Sequence, residues 1–259
     1  MKPVYRRRLL PPIALAVAIA ATLVLLPPFA QPLAYHAFAD QRAVFGIPRF
    51  LDVASNLGFL VVGLMGLWLL AQRDQDAARR FLDSRERLPY GFLFLGVTLT
   101  CFGSIYYHLA PDNPRLVWDR VPMAVGFTAF LAAMVAERVS VCAGVRLLIP
   151  FVVLGVGSVW YWRWSAAQGA ENLLPYFALQ GYCLVASVLL IALFPARYTG
   201  GRLIVLAVML YGAALVCEQL DRVIFSLRGV VSGHTLKHLL AAAAIYQIYR
   251  MLRDRRAVA

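Results

Sequence analysis

Charge is what this chain has least of. Only 15% of its 259 residues are Asp, Glu, Lys or Arg, against 61% hydrophobic, and the mean hydropathy is +0.71. A soluble domain carries about 25% charged residues, so a soluble fold is excluded. Cysteine is sparse too: Cys101, Cys142, Cys183 and Cys217 stand singly, with no C-x-x-C spacing. That rules out a disulfide framework and a cysteine metal site, and leaves buried thiols. Lysine is nearly missing. Of the 25 basic residues all but Lys2 and Lys237 are Arg, a bias that points to a GC-rich bacterial genome. Acidic residues are few enough to leave a net charge of +12. Yet the basic residues cluster between apolar runs rather than along one amphipathic face. They report topology and anionic headgroups, which excludes nucleic acid as the partner.

What the chain does have is apolar runs. Eight of them, at approximately 9–29, 50–71, 88–109, 119–137, 145–163, 172–194, 203–225 and 231–252, can each cross ~30 Å of hydrocarbon at about 1.5 Å per residue. The expected fold is all-α and polytopic, with connections too short for a separate soluble domain. It divides into a leading helix in 1–35, a seven-helix membrane domain in 36–252 and a basic cytoplasmic tail in 253–259. Placing successive connections on alternate sides puts most Lys and Arg on the side of the N-terminus, which orients both termini to the cytoplasm.

Arg6-Arg7-Arg8 before an apolar run also describes a signal peptide. The small-x-small site at Ala37-Phe38-Ala39 lies too far beyond Leu26 to serve, so an uncleaved signal anchor is expected. Trp160-Tyr161-Trp162-Arg163-Trp164 reads as an interfacial aromatic belt. The connection from Gln72 to Leu88, of mixed charge, reads as a solvated cytoplasmic loop.

Histidine is scarce enough to be informative. Of the four in the chain, His234 and His238 stand one turn apart in an apolar helix, and so share a face. Such a pair in a membrane segment is either a metal site or a hydrogen-bonded interfacial pair. His108 ends the third segment, with Ser104 one turn before it, and Asp119 opens the fourth. Under the charge-derived topology these five residues lie at one depth, toward the outer side. Three imidazoles from two helices suit a catalytic zinc with its fourth position left to water. A nearby carboxylate can take that water's proton, and a hydroxyl can orient an oxyanion. His36 falls in a loop and is read as ordinary.

Glu218, Gln219 and Asp221 lie in the outer half of the seventh segment, and Lys237 lies between the paired histidines. An ion pair from Lys237 to Glu218 or Asp221 would offset the cost of burying these charges. Glu218, Asp221 and Lys237 are candidate outer-sphere residues of the metal, and a structural pair at the lipid interface is the alternative. Asp52, Ser55 and Asn56 carry the same two readings: outer-sphere contacts, or helix caps and interhelical bonds.

Phe50-Leu51-Asp52-Val53-Ala54-Ser55-Asn56, Gly103-Ser104-x-x-x-His108 with Asp119 and Pro122-Met123 beyond it, and Gly233-His234-x-x-x-His238 together resemble the signatures of the alkaline ceramidase family. That family belongs to the CREST group of seven-helix membrane hydrolases, which also holds the progestin and adipoQ receptors. The resemblance runs from about Asp40 to Arg250. It implies a seven-helix bundle, here with one extra N-terminal helix, and zinc held by His108, His234 and His238 with Ser104 and Asp119 beside it. It also implies hydrolysis of ceramide, or a ceramide-like lipid amide, to a sphingoid base or lipid amine and a fatty acid. Animal members resembling this chain carry an acidic calcium-binding segment, and where they have Glu this chain has Arg49. Asp40 alone is a poor site for an ion wanting six to eight oxygens, so no calcium is expected. Many bacteria make little ceramide, which widens the expected substrate to other lipid amides. The competing class is a receptor-like or lipid-binding membrane protein with a structural zinc. The expected setting is a bacterial cytoplasmic membrane, with the site facing outward; the partners are membrane lipids and the lipid substrate.

Overall fold

The computed structural model describes residues 3–73 and 79–258. The chain is an all-α polytopic membrane protein. Helices α1 (Pro3–Arg8) and α2 (Leu10–Leu25) lead into α3 (Phe50–Ala54), α4 (Leu57–Ala71), α5 (Arg87–Leu109), α6 (Asn113–Arg138), α7 (Val141–Ala167) and α8 (Leu174–Leu193). Helices α9 (Gly201–Gln219), α10 (Asp221–Arg228) and α11 (Gly233–Asp254) complete the chain. Among the described residues, seven helical stretches are long and apolar enough to cross a membrane, one fewer than the runs read from sequence. The exception is α11. Its 22 residues reach about 33 Å, but its polar side chains lower its apolarity because they turn inward, against α4 and α9.

Other boundaries moved for local reasons. α6 begins at Asn113, six residues before the run read from hydropathy. Asp112 caps it by accepting from the Arg115 N–H at 2.7 Å, and the charged first turns hide the start. Asp119 therefore lies in the second turn of its helix rather than at the opening. The seventh run, 203–225, is two helices broken at Leu220, with Glu218 on the first and Asp221 on the second.

Two backbone contacts set the site's helices in place. Pro122 has no N–H to give the Trp118 carbonyl one turn earlier. Gly103 of α5 packs onto that freed carbonyl so closely that a Cβ would stand 1.9 Å from it, which brings Ser104 to the same cavity as Asp119. Gly233 makes the matching approach for α11, where a Cβ would lie 2.1 Å from the Cys217 carbonyl at the α9–α10 break. The motif residues Gly103, Pro122 and Gly233 thus work as spacers between helices.

α2 rests against α8 at the edge of the bundle, and residues 29–49 then cross the histidine end. In the aromatic belt Trp160, Tyr161 and Trp164 face outward. Trp162 departs from it: it is fully buried and donates to Glu171 at 2.6 Å.

At the far end of the bundle the described part of the basic tail, 253–258, is packed against the helices. Thr199 N–H donates to the Arg256 carbonyl and Val258 N–H to the Arg197 carbonyl, both at 2.9 Å, so the tail is docked. Arg255 is buried against Phe81, Tyr90 and Tyr198, paired with Glu137. The 72–88 connection is only partly as expected. Its residues 74–78, Asp76 among them, lie outside the described residues, while Phe81 and Glu86 are buried.

Candidate metal centre

The three imidazoles meet. His108, from the last turn of α5, and His234 and His238, from the first two turns of α11, are all buried, and their ligating nitrogens lie within 4.8 Å of one another. The Nε2 atoms of His108 and His234 are 3.2 Å apart. Two nitrogens bound to one zinc at ~2.05 Å in a tetrahedron stand ~3.3 Å apart, so this pair fits a shared ion. His36 is not among them. Its Nδ1 meets the Tyr107 hydroxyl at 2.8 Å and its Nε2 the Asn113 side-chain oxygen at 2.9 Å, both saturated by protein.

The tautomer of His238 is set from behind. Ser55 Oγ donates to the Asp52 carbonyl at 3.2 Å, which leaves it to accept from His238 Nδ1 at 2.8 Å. The Nε2 lone pair then points to its fellow imidazoles, the arrangement of metal-ligating histidines generally. Nδ1 of His108 is buried without a hydrogen-bond partner among the described residues.

Asp52 organises the start of α11 rather than an imidazole. Its Oδ1 accepts from the Ser232 and Thr235 hydroxyls at 3.0 and 2.6 Å, while Ser232 Oγ accepts from Thr235 N–H at 3.0 Å as the helix cap. The Asn56 amide donates to the Asp52 carbonyl at 2.7 Å, which braces the α3–α4 break. Asp221 also acts on backbone: Oδ1 accepts from His234 N–H at 2.8 Å and Oδ2 from Ala39 N–H at 2.9 Å. Of the two carboxylates offered to Lys237, it is Glu218 that pairs with it, and Glu218 also accepts from the Tyr35 hydroxyl at 3.1 Å.

Arg49 takes a left-handed backbone, φ 48°. Its guanidinium donates to the carbonyls of His108 and Leu109 at 2.7 and 2.9 Å, a cationic cap on the end of α5. Asp40 is clamped by Arg42, whose guanidinium holds its carboxyl below the usual carboxylate range.

Ser104, Asp119, Lys237 and His238 line one cavity whose remaining wall, from Phe59 and Leu93 to Ile248, is almost wholly apolar. Ser104 and Asp119 thus stand together on the wall of this cavity. The cavity holds about 140 Å³, close to one that admits a benzene-sized molecule. A long acyl chain would therefore have to continue out between the helices.

Sequence reasoning reached the three imidazoles, Ser104 and Asp119, and the structure brings them together. It named Ser55 only as a small polar residue near a helix start. The roles of Phe38, Tyr35 and Arg49 went unread, since loop residues carry no periodic signal. Comparison of the chain with protein-family models yields no match, and comparison with curated proteins yields none either. The family resemblance therefore stands on its motifs.

Proposed function

We propose that this protein is a zinc-dependent membrane amidase that hydrolyses a ceramide-like lipid amide to a lipid amine and a fatty acid. The observation that carries the reading is a cluster of three buried imidazoles, one of which, His238, lines an apolar cavity together with Asp119 and Ser104. An amidase of soluble substrates has no use for a site walled by aliphatic residues inside a membrane domain, whereas a lipid amide brings its own chains to fill one. His108, His234 and His238 would hold the ion. When bound, zinc supplies Lewis-acid polarisation and a water that ionises near neutral pH.

The remaining roles belong to the chain's own groups. Asp119 accepts the proton of the attacking water and returns it to the leaving amine, so its carboxylate is needed ionised at the start and regenerated at the end. Ser104, one turn from a ligand and on the same cavity wall as Asp119, donates to the oxygen on which charge develops. Ser55 keeps His238 in the ligating tautomer, and Arg49 and Asp221 hold the helix ends that carry His108 and His234. The setting proposed is a bacterial cytoplasmic membrane, with both termini in the cytoplasm and the histidine end outward.

Purified protein in liposomes should contain one zinc and release fatty acid from a long-chain N-acyl sphingoid base. A zinc chelator should abolish release and added zinc restore it. A panel including N-acyl amino acids and N-acyl ethanolamines would identify the headgroup. Zinc-replete protein that cleaves none of them yet binds lipid stoichiometrically would overturn the amidase reading.

A further inference from the structure

Residues 29–49 link α2 to α3, and they do so by crossing directly over the histidines, fastened at every few residues. Phe29 C=O accepts from Leu173 N–H at 2.8 Å. Gln31 accepts from buried Arg120 at 2.5 Å, and the guanidinium of Arg120 lies 4.6 Å from the Trp162 ring centre. Tyr35 reaches Glu218, His36 reaches Tyr107 and Asn113, and Ala39 reaches Asp221. Arg42 donates to the Gly229 and Val230 carbonyls, both at 2.7 Å. The strap is thus tied to α5, α6, α9, α10 and the turn before α11.

At its centre stands Phe38, only 6% exposed. Its ring centre is 4.6 Å from the His108 ring and 4.6 Å from the His234 ring. At that separation the rings touch, and no water fits between them. The opposite side of the cluster is different, because His238 opens onto the cavity with Ser104, Asp119 and Lys237. One side of the imidazole group is roofed by an aromatic ring, and the other faces an aliphatic cavity.

We propose that Phe38 is a specificity-determining residue: it seals the histidines against water on the strap side, so that only amides already carried in the apolar cavity reach them. Resting on the metal-centre reading above, this assigns the selection of lipid over water-soluble amides to one side chain. A ring that merely filled space would contribute to stability and leave selectivity alone. A seal predicts that accessibility and substrate preference change together, and that an equally broad ring restores both.

Two measurements test this. In a chain with the native cysteines replaced, His234→Cys places a thiol directly beneath Phe38, and labelling in the presence of a zinc chelator reports on the seal without any metal. In that background an impermeant thiol reagent should react slowly when Phe38 is present, at least ~10-fold faster with Phe38→Ala, and slowly again with Phe38→Trp. Phe38→Leu, which keeps apolar volume but loses breadth, should fall between them and serves if the Ala variant does not fold. In zinc-loaded protein with an intact His234, Phe38→Ala should raise kcat/KM for a short-acyl, water-soluble amide at least ~10-fold relative to a bilayer-borne long-chain amide. Equal labelling in all variants, or an unchanged substrate ratio, would overturn the proposal while leaving the metal centre in place. Protected labelling in protein that binds no zinc would instead uphold the seal and overturn the metal reading.

Discussion

Glu137, at one end of the bundle, pairs with buried Arg255 and accepts from the Tyr90 hydroxyl at 2.8 Å. Tyr198 donates to Glu86, which lies 3.0 Å from Arg197. At the other end, some 33 Å away along α5, three imidazoles face one another with no carboxylate among them. Both ends bury ionisable groups. At the Arg255 end cations meet anions, so the buried charges are balanced within the protein. At the histidine end like groups meet, three imidazoles that could share a metal ion. Buried polarity by itself therefore does not mark a site; the balance of donors and acceptors does.

The sharpest break between the two ends is their side of the membrane. In a chain with the native cysteines replaced, Ala170→Cys in the α7–α8 turn should be labelled by an impermeant reagent from outside intact cells, and Ser84→Cys at the far end should not. The reverse pattern turns the histidines toward the cytoplasm. Next in size is the contrast of stability with binding. Glu137→Ala strands a buried guanidinium and should cost about 3–5 kcal/mol, read as a lowered melting temperature, while the folded fraction keeps its zinc. His234→Ala should do the opposite: it should lose most of the zinc with a smaller change in the melting temperature of the metal-free protein. Identical responses of the two variants would dissolve the distinction.

Within the histidine end, the ligands should separate from their neighbours. Asp119→Asn should keep zinc but lose turnover by about 10²-fold or more, because an amide cannot take up a proton from water. Parallel loss of metal would make Asp119 a ligand instead. The smallest effect belongs to Ser55. Removing the acceptor for His238 Nδ1 in Ser55→Ala should weaken zinc binding by about 10-fold, measured by competition with a chelator, and no change would show that the tautomer is held elsewhere.

Much of this was legible in advance, for identifiable reasons. Long apolar runs mark helices because an unpaired backbone is costly in hydrocarbon, so every run read from the sequence met a helix, with ends displaced by up to six residues. His234 and His238 could be paired by spacing alone, since both lie on one helix face. Charged first turns concealed the start of α6. The break at Leu220 lies among the polar residues Glu218, Gln219, Asp221 and Arg222, whose carboxylates read as partners for Lys237 and the metal and not as a helix boundary. The docked tail was unreadable for a different reason: Arg255 looks like any terminal arginine until Phe81, Tyr90, Tyr198 and Glu137 are assembled around it.

By itself, the sequence determined that this is an all-α membrane protein with three histidines, an aspartate and a serine near helix ends. Composition, run length and local spacing depend only on neighbours in the chain. Only the tertiary structure decided that His108 meets His234 and His238, that the Ser55 hydroxyl meets an imidazole, and that Phe38 roofs the group. These facts join residues as much as 196 positions apart, from Phe38 to His234. They follow from close backbone approaches at Gly103 and Gly233 and from the path of a loop, neither of which any local pattern encodes.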